Sequence, residues 1–437
     1  MKKILLIVCA LGLISSCTQK NTIEIPFSVQ NGYGVFKSAF GGISPDSEDE
    51  NNQWKKTYLQ VSGIPDEWTD AKKGHININI YQDVYQNYLQ GNITQEWYDE
   101  LQKSWNWTPD TLNLSKKPLK NKVAFAFGKD ATGKIQMIVD ANNNLDFSDD
   151  AMFTPLELDL VDNSKNKDSL MQHNSIMVTY ERLSDNQIVQ EKVPLCIVYA
   201  PQYGLFMCNF SQYIVAAFDG MELAINSNDF INLSYSKTGI ILVDDSLKNG
   251  GKVERENTIS ENEYLTLNEK IYKYKGVNTN KNVVILEKTN LPQNQLHATQ
   301  IGFKTIPFEG YDFKTKTKIS LDNYKGKYLF IDFWAVWCSP CIQELPNLKI
   351  LYDSLDKSKI EILGIVGDSK SEALDKMIEQ YSITWAQILS DDENTITKKY
   401  RITGYPTTLL INPEGIIIAK NLRGKALENK INELLSQ

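Results

Sequence analysis

Histidine is nearly missing from this chain: there are 3 in 437 residues, too few for a multi-histidine metal centre or a histidine proton relay. Cysteine is scarce as well, with 6 in all, which rules out a disulfide-stapled scaffold in so long a chain. There is no basic surplus: 46 Lys and Arg stand against 54 Asp and Glu, a formal charge of −8, so an electrostatic footprint for nucleic acid is lacking. Beyond the N-terminal segment no apolar run approaches the roughly 20 residues of a membrane-spanning helix. What remains is the make-up of a soluble globular protein, 42 % hydrophobic and 23 % charged, with 21 Tyr and 8 Trp to fill large cores. At roughly 150 residues per domain, the length implies two or three domains.

Lys2 and Lys3 precede an apolar run of 11 residues, Ile4 to Ile14. That run is too short to span a bilayer but fits the apolar core of a secretory signal. It ends in Ile14-Ser15-Ser16-Cys17, which resembles a bacterial lipoprotein signal, where the Cys thiol is acylated and becomes the new N-terminus. The expectation is a signal peptide over 1–16, lipidation at Cys17, a polar tether over 17–22, and a mature protein held on a bacterial membrane by lipid alone. It would be extracytoplasmic and periplasm-facing. Cys9 is lost with the signal and Cys17 is committed to lipid, which leaves Cys196, Cys208, Cys338 and Cys341 as thiols outside the reducing cytosol.

From residue 23 to about 300 the pattern is mainly β. His75 to Tyr81 alternates, 123–127 and 134–139 read as a hairpin around a Gly-containing turn, and 264–275 with 282–288 reads as another. Trp97, Leu101 and Trp105 recur at helical spacing within 97–107. From 301 to 437 strands alternate with helices, the signature of an α/β layered domain. Strands are predicted over 328–334, 360–366, 384–389, 407–411 and 416–419, with helices over 339–354, 371–381 and 393–400. Leu427, Ile431, Leu434 and Leu435 mark one face of a C-terminal helix. The run 328–334 is apolar except for Asp332, as befits a strand buried on both faces.

Directly after that strand stands Trp337-Cys338-Ser339-Pro340-Cys341. A cysteine at a helix N-terminus meets unpaired backbone N–H groups and the positive end of the helix dipole, both of which favour thiolate. A second cysteine one turn on can close a small disulfide, and such pairs lower a thiol pKa from about 8.5 into roughly the 3.5–7.5 range. Pro340 is tolerated because the first turn does not need its missing N–H. Zinc would need about four ligands, but no second Cys-x-x-Cys exists and His297 is the one histidine in this half.

These residues, with Asp332-Phe333-Trp334-Ala335 before them, Glu344-Leu345-Pro346 after them, and Gly404-Tyr405-Pro406-Thr407 and Asn412-Pro413-Glu414-Gly415 downstream, resemble the thioredoxin superfamily. The likeness is greatest to its TlpA/ResA-like extracytoplasmic thiol-disulfide oxidoreductases and covers roughly 301–437. The 65 residues from Cys341 to Pro406 fit the β-α insertion of that branch. The resemblance implies a thioredoxin-like domain, a central β-sheet flanked by helices. In it Cys338 is the attacking thiolate and Cys341 the resolving thiol of a redox disulfide. Asp332 is the buried acid that relays the Cys341 proton, and Glu344 an acid that tunes the thiols. Asp332 departs towards thioredoxin itself, since many TlpA-like proteins carry Asn there. Trp337, Tyr405 and a cis Pro406 are implied as substrate contacts, with a substrate strand pairing to the backbone at Tyr405. Pro346 should kink its helix. A peroxide-reducing role fits less well, because Ala335 stands three before Cys338 where the peroxiredoxin pattern has Thr.

No family resemblance is evident for residues 18–300. Asp140, Asn142, Asn144 and Asp146 occupy alternate positions like the opening of a calcium loop. Leu145 replaces the usual Gly and Ala151 the usual Glu, with Asp149 or Asp150 as a substitute; an Asn/Asp-rich turn without metal is the competing reading. Calcium is thus the one cofactor the sequence raises. Cys196 and Cys208 read equally as buried free thiols or a structural disulfide, and His75 and His173 as ordinary surface or strand residues. Two functions follow. The first is a lipid-anchored oxidoreductase that reduces specific protein disulfides, itself re-reduced by a membrane thiol-reducing partner. The alternative is a partner- or glycan-binding lipoprotein whose thioredoxin-like part only docks. Retention of Cys338, Cys341, Asp332 and Pro406 together favours the enzyme.

Overall fold

The computed structural model describes residues 21–253 and 257–436; the expected signal peptide and Cys17 lie outside the described residues. The chain divides into two compact units between Thr289 and Asn290, somewhat before the boundary at 300 read from the sequence.

Among the described residues the N-terminal unit is built on three sheets. The largest is antiparallel and seven-stranded, in the order Ile241–Val243, Met221–Asn226, Gln212–Phe218, Thr22–Asn31, Val283–Thr289, Lys270–Asn278, Tyr264–Leu267. The run expected as one strand from 264 is in fact two, because Asn268 and Glu269 take positive φ angles of 45° and 64° and turn the chain back on itself. The second sheet orders Gly41–Ile43, Leu205–Phe210, Gln187–Ala200 and Leu156–Glu157, with Ile176–Ser184 also paired to Gln187–Ala200. Its register settles the cysteines. Cys208 pairs with Ile197 while Cys196 pairs with Asn209, and side chains of successive residues point to opposite faces. The two thiols therefore enter different cores, are buried and stay free; burial pushes both pKa values up to about 12.

The third sheet contains the predicted hairpin, Lys122–Lys129 against Ile135–Val139, with Thr69–Asn77 on its other side. The alternating run from His75 breaks where Asn79 caps an unexpected helix, Ile80–Leu89, by accepting the N–H groups of Tyr81 and Gln82. Its inward face hid it from hydrophobic periodicity, because that face is polar. Gln82 bonds the Ser115 backbone, Gln86 the Leu119 backbone, and Asp83 forms a buried ion pair with Lys122 at 3.0 Å. The Trp97 helix spans Gln95–Ser104, capped by Thr94.

The C-terminal unit is an α/β layer around a five-stranded sheet, in the order Ala386–Leu389, Ile360–Val366, Tyr328–Trp334, Thr407–Ile411, Ile417–Lys420. The first three are parallel and the last two antiparallel to their neighbours. Tyr328–Trp334 is central and buried at all but its first residue. Its Leu329, Ile331 and Phe333 fill one core. Phe330 and Trp334 fill the other, together with both cysteines, Leu345 and Leu348 of the helix Ser339–Ser354, and Leu427 and Ile431 of the helix Gly424–Leu435. Asp332, between Phe330 and Trp334 on the same strand face, points into the layer of these two helices. Helix Ser339–Ser354 runs unbroken through Pro346.

Candidate active site

Cys338 is the N-cap of helix Ser339–Ser354, and its Sγ accepts the backbone N–H of Cys341 at 3.2 Å. Pro340 sits in the first turn, where its missing N–H costs nothing. Cys338 and Cys341 are joined as a disulfide with Cα atoms 5.3 Å apart, and both are 3 % exposed. The cap bond and the helix dipole are the features that stabilise a Cys338 thiolate when the pair is reduced.

Asp332 is 9 % exposed and pairs in register with Gly364 on one side and Thr408 on the other. Burial pushes its pKa up to about 7; Arg423 pulls it down and Glu344 pushes it further up. A buried acid with that value exchanges a proton near neutral pH, as a relay requires. Glu344 follows Cys341 by one turn on the same helix, and its Oε2 accepts the Gly424 N–H at 3.2 Å at the start of the C-terminal helix. Its carboxylate thereby tethers the two helices over Asp332.

The peptide between Tyr405 and Pro406 is cis. Tyr405 and Trp337 meet edge to face with ring centroids 5.8 Å apart. Both are fastened to a single residue: Trp337 Nε1–H donates to the Asp368 carbonyl at 2.9 Å, and the Tyr405 hydroxyl donates to Asp368 Oδ2 at 3.0 Å. Trp337 is nonetheless 63 % exposed, an apolar surface beside the cysteine that a substrate chain can cover. The pieces named from the sequence, Asp332, Trp337, Cys338, Cys341, Glu344, Tyr405 and Pro406, thus gather around one end of the central strand.

Two groups escaped sequence reasoning. The turn Gly367-Asp368-Ser369 follows the carboxyl end of strand Ile360–Val366, the position where open α/β sheets place their sites, and that rule is a signal that could have found it. Ser369 Oγ accepts the Val336 N–H at 3.1 Å and so braces the loop before Cys338. Arg423, whose Nη2 donates to the Pro406 carbonyl at 2.6 Å, lies in a connection without any local signature.

The Asp140 loop, raised by the sequence as a calcium loop, is closed by its own hydrogen bonds. Asp140 spends its oxygens on the N–H groups of Asn144 and Leu145, and Asp146 accepts the Ser148 N–H. Asn142 and Asn144 donate their amide N–H groups to Asp149 Oδ2, while their Oδ1 atoms accept the N–H groups of Asn144 and Asp146. Leu145 takes the positive φ of 69° that Gly would supply. Among the described residues no group of three or more His, Cys, Asp or Glu stands together as a metal site.

The sheet order, and the place of the disulfide at the end of its central strand, define the class: a thioredoxin-fold redox domain. Residues 301–420 match the AhpC/TSA family. The ResA thiol-disulfide oxidoreductase of Bacillus thuringiensis subsp. konkukian is 30 % identical over 138 residues, which cover 32 % of this chain and 78 % of that protein. Its namesake from Bacillus subtilis is 32 % identical over 120 residues, covering 27 % of this chain and 65 % of that one. The thioredoxin domain of a thiol-disulfide oxidoreductase from Bacteroides vulgatus is 32 % identical, with a TM-score of 0.29, over 32 % of this chain and 99 % of that domain. Through its C-terminal unit the chain belongs to the thioredoxin-like thiol-disulfide oxidoreductases.

Proposed function

We propose that the protein is a lipid-anchored, extracytoplasmic oxidoreductase that reduces protein disulfides through a mixed-disulfide intermediate. The observation that carries this reading is a Cys-x-x-Cys pair capping a helix next to a buried acid whose pKa is raised to about 7. In the reduced enzyme the Cys338 thiolate attacks a substrate sulfur; the substrate S–S bond breaks and one substrate thiolate leaves. Cys341 then gives its proton to Asp332, and the resulting thiolate attacks Cys338 Sγ. The mixed disulfide breaks, its electron pair leaves on the second substrate sulfur, and the Cys338–Cys341 disulfide remains. Two electrons have passed to the substrate, and a membrane thiol-reducing partner returns them. An extended substrate chain docks at Trp337, Tyr405 and Pro406, adding a strand beside the cis-proline.

The roles of the two thiols are separable by experiment. Cys338→Ser abolishes reduction of a model protein disulfide such as insulin, whereas Cys341→Ser accumulates mixed disulfides with substrates, visible on non-reducing gels. Trapping by Cys338→Ser in place of Cys341→Ser reverses the assignment, and full reductase activity in Cys338→Ser defeats the reading altogether.

A further inference from the structure

The connection between the last strand and the C-terminal helix touches three parts of the site in succession. Thr408, the sheet partner of Asp332, donates its hydroxyl to the Leu422 carbonyl at 3.1 Å and accepts the Asn421 N–H at 2.9 Å. Arg423 then reaches the Pro406 carbonyl, and Gly424 donates to Glu344. The flanking strands present Gly364 and Thr408 at the register of Asp332. Two charged side chains of the elements packed over it act on its carboxyl, Glu344 of the helix Ser339–Ser354 and Arg423 of this connection; of the other charged residues on those two helices, Lys349 pairs with Asp353 and Lys430 with Glu433, while Lys425 and Glu428 are exposed. The buried acid therefore feels one negative and one positive side chain. The positive one is bonded to the carbonyl of the residue at which substrate docks.

We propose that Arg423 is a positioning residue that couples the cis-proline strand to the Asp332 proton relay: it holds the Pro406 carbonyl and supplies the positive charge that opposes Glu344 at the buried carboxyl. This rests on the relay role given to Asp332 above. The two charges act on that carboxyl in opposite senses. Arg423 itself is exposed, so in the free enzyme water screens it. A docked substrate chain covers the guanidinium and removes that water, which strengthens its field at Asp332. The ionised carboxylate is then favoured at resolution, the step that needs a proton acceptor: the Cys341 S–H bond breaks, its proton goes to Asp332, and its sulfur closes on Cys338.

The test is single-turnover resolution of a mixed disulfide between the full chain and a cysteine-containing peptide, followed across pH in wild type, Arg423→Gln, Arg423→Lys and Asp332→Asn. Loss of a neighbouring positive charge raises a carboxyl pKa by about one unit or more. Arg423→Gln therefore moves the midpoint of the rate up by about one pH unit and slows resolution about tenfold below it, while Arg423→Lys restores the wild-type midpoint. If the Arg423→Gln midpoint coincides with that of wild type, or Arg423→Lys shifts as far as Arg423→Gln, the proposal is wrong. Asp332→Asn separates the two levels. If that variant loses the midpoint while Arg423→Gln keeps it, the coupling alone is refuted; if it keeps the wild-type midpoint, the relay itself and the coupling fall together.

Discussion

If Asp332 is the proton relay proposed above, one residue sets both chemistry and stability. Its pKa rises from 3.8 to about 7 on folding, chiefly through burial, so the folded protein holds the proton more tightly than the unfolded chain. By linkage, stability then falls as pH rises between those two values: the contribution is complete below about pH 4 and gone above about pH 7, on the order of 4 kcal/mol in all. Asn at this position carries no charge to bury. We expect Asp332→Asn to match wild type near pH 4 and to exceed it increasingly towards pH 8, when both oxidised proteins are unfolded by denaturant across that range. A constant difference between the two would show that Asp332 is not the group that titrates there. On the proposed relay role the stabilising effect sits beside a catalytic cost, as expected where a site retains an unfavourable buried group for its chemistry.

Among the elements, the turn after strand Ile360–Val366 has the most influence on the site for its size. Gly367 donates its N–H to the Trp334 carbonyl at 3.0 Å, and Asp368, at a φ of 46°, presents both its carbonyl and its carboxylate to the aromatic pair. A side chain at 367 would have to push the Tyr405 hydroxyl aside, since a Cβ there would overlap it. Gly367→Ala is expected to displace that hydroxyl from Asp368 while leaving the disulfide in place. The loss of about 1 kcal/mol of hydrogen bonding corresponds to a roughly fivefold rise in KM for a protein disulfide, with kcat little changed. Steady-state kinetics with Trp fluorescence as a reporter of Trp337 checks this; unchanged KM would mean the platform does not hold substrate. The helix Ile80–Leu89 shows the opposite relation between sequence and structure. Its pattern is weak because it buries Gln82, Asp83, Gln86 and Asn87: Gln82 and Gln86 satisfy the backbone at Ser115 and Leu119, Asp83 pairs with Lys122, and Asn87 bonds back to Asp83.

At the scale of the whole molecule, a redox unit of the thioredoxin class follows a larger β-rich unit in one chain, and among the described residues no helix is long and apolar enough to cross a membrane. If lipid on Cys17 is the anchor, Cys17→Ser moves the protein from the membrane fraction to the soluble one, because one substitution removes every acyl chain; unchanged membrane association on fractionation would exclude that mode of attachment. The amino-acid sequence by itself determined the Cys-x-x-Cys pair, the acid within an apolar strand and the strand-helix order of the C-terminal unit, and the likeness of its motifs to the family implied the cis-proline. Each of these is written in short-range form: Cys338 and Cys341 lie one helical turn apart, Asp332 interrupts an apolar strand, and the motifs at 344–346 and 404–407 follow in order. What only the tertiary structure decided depends on register and on contacts between distant segments. The pairing of Cys208 with Ile197 sends two cysteines 12 residues apart to opposite faces of a sheet. Asp368 and Arg423 reach Tyr405 and Pro406 from segments 37 and 17 residues away. No local pattern encodes such a meeting, because the side chains that meet are selected by how strands and helices stack after each has formed.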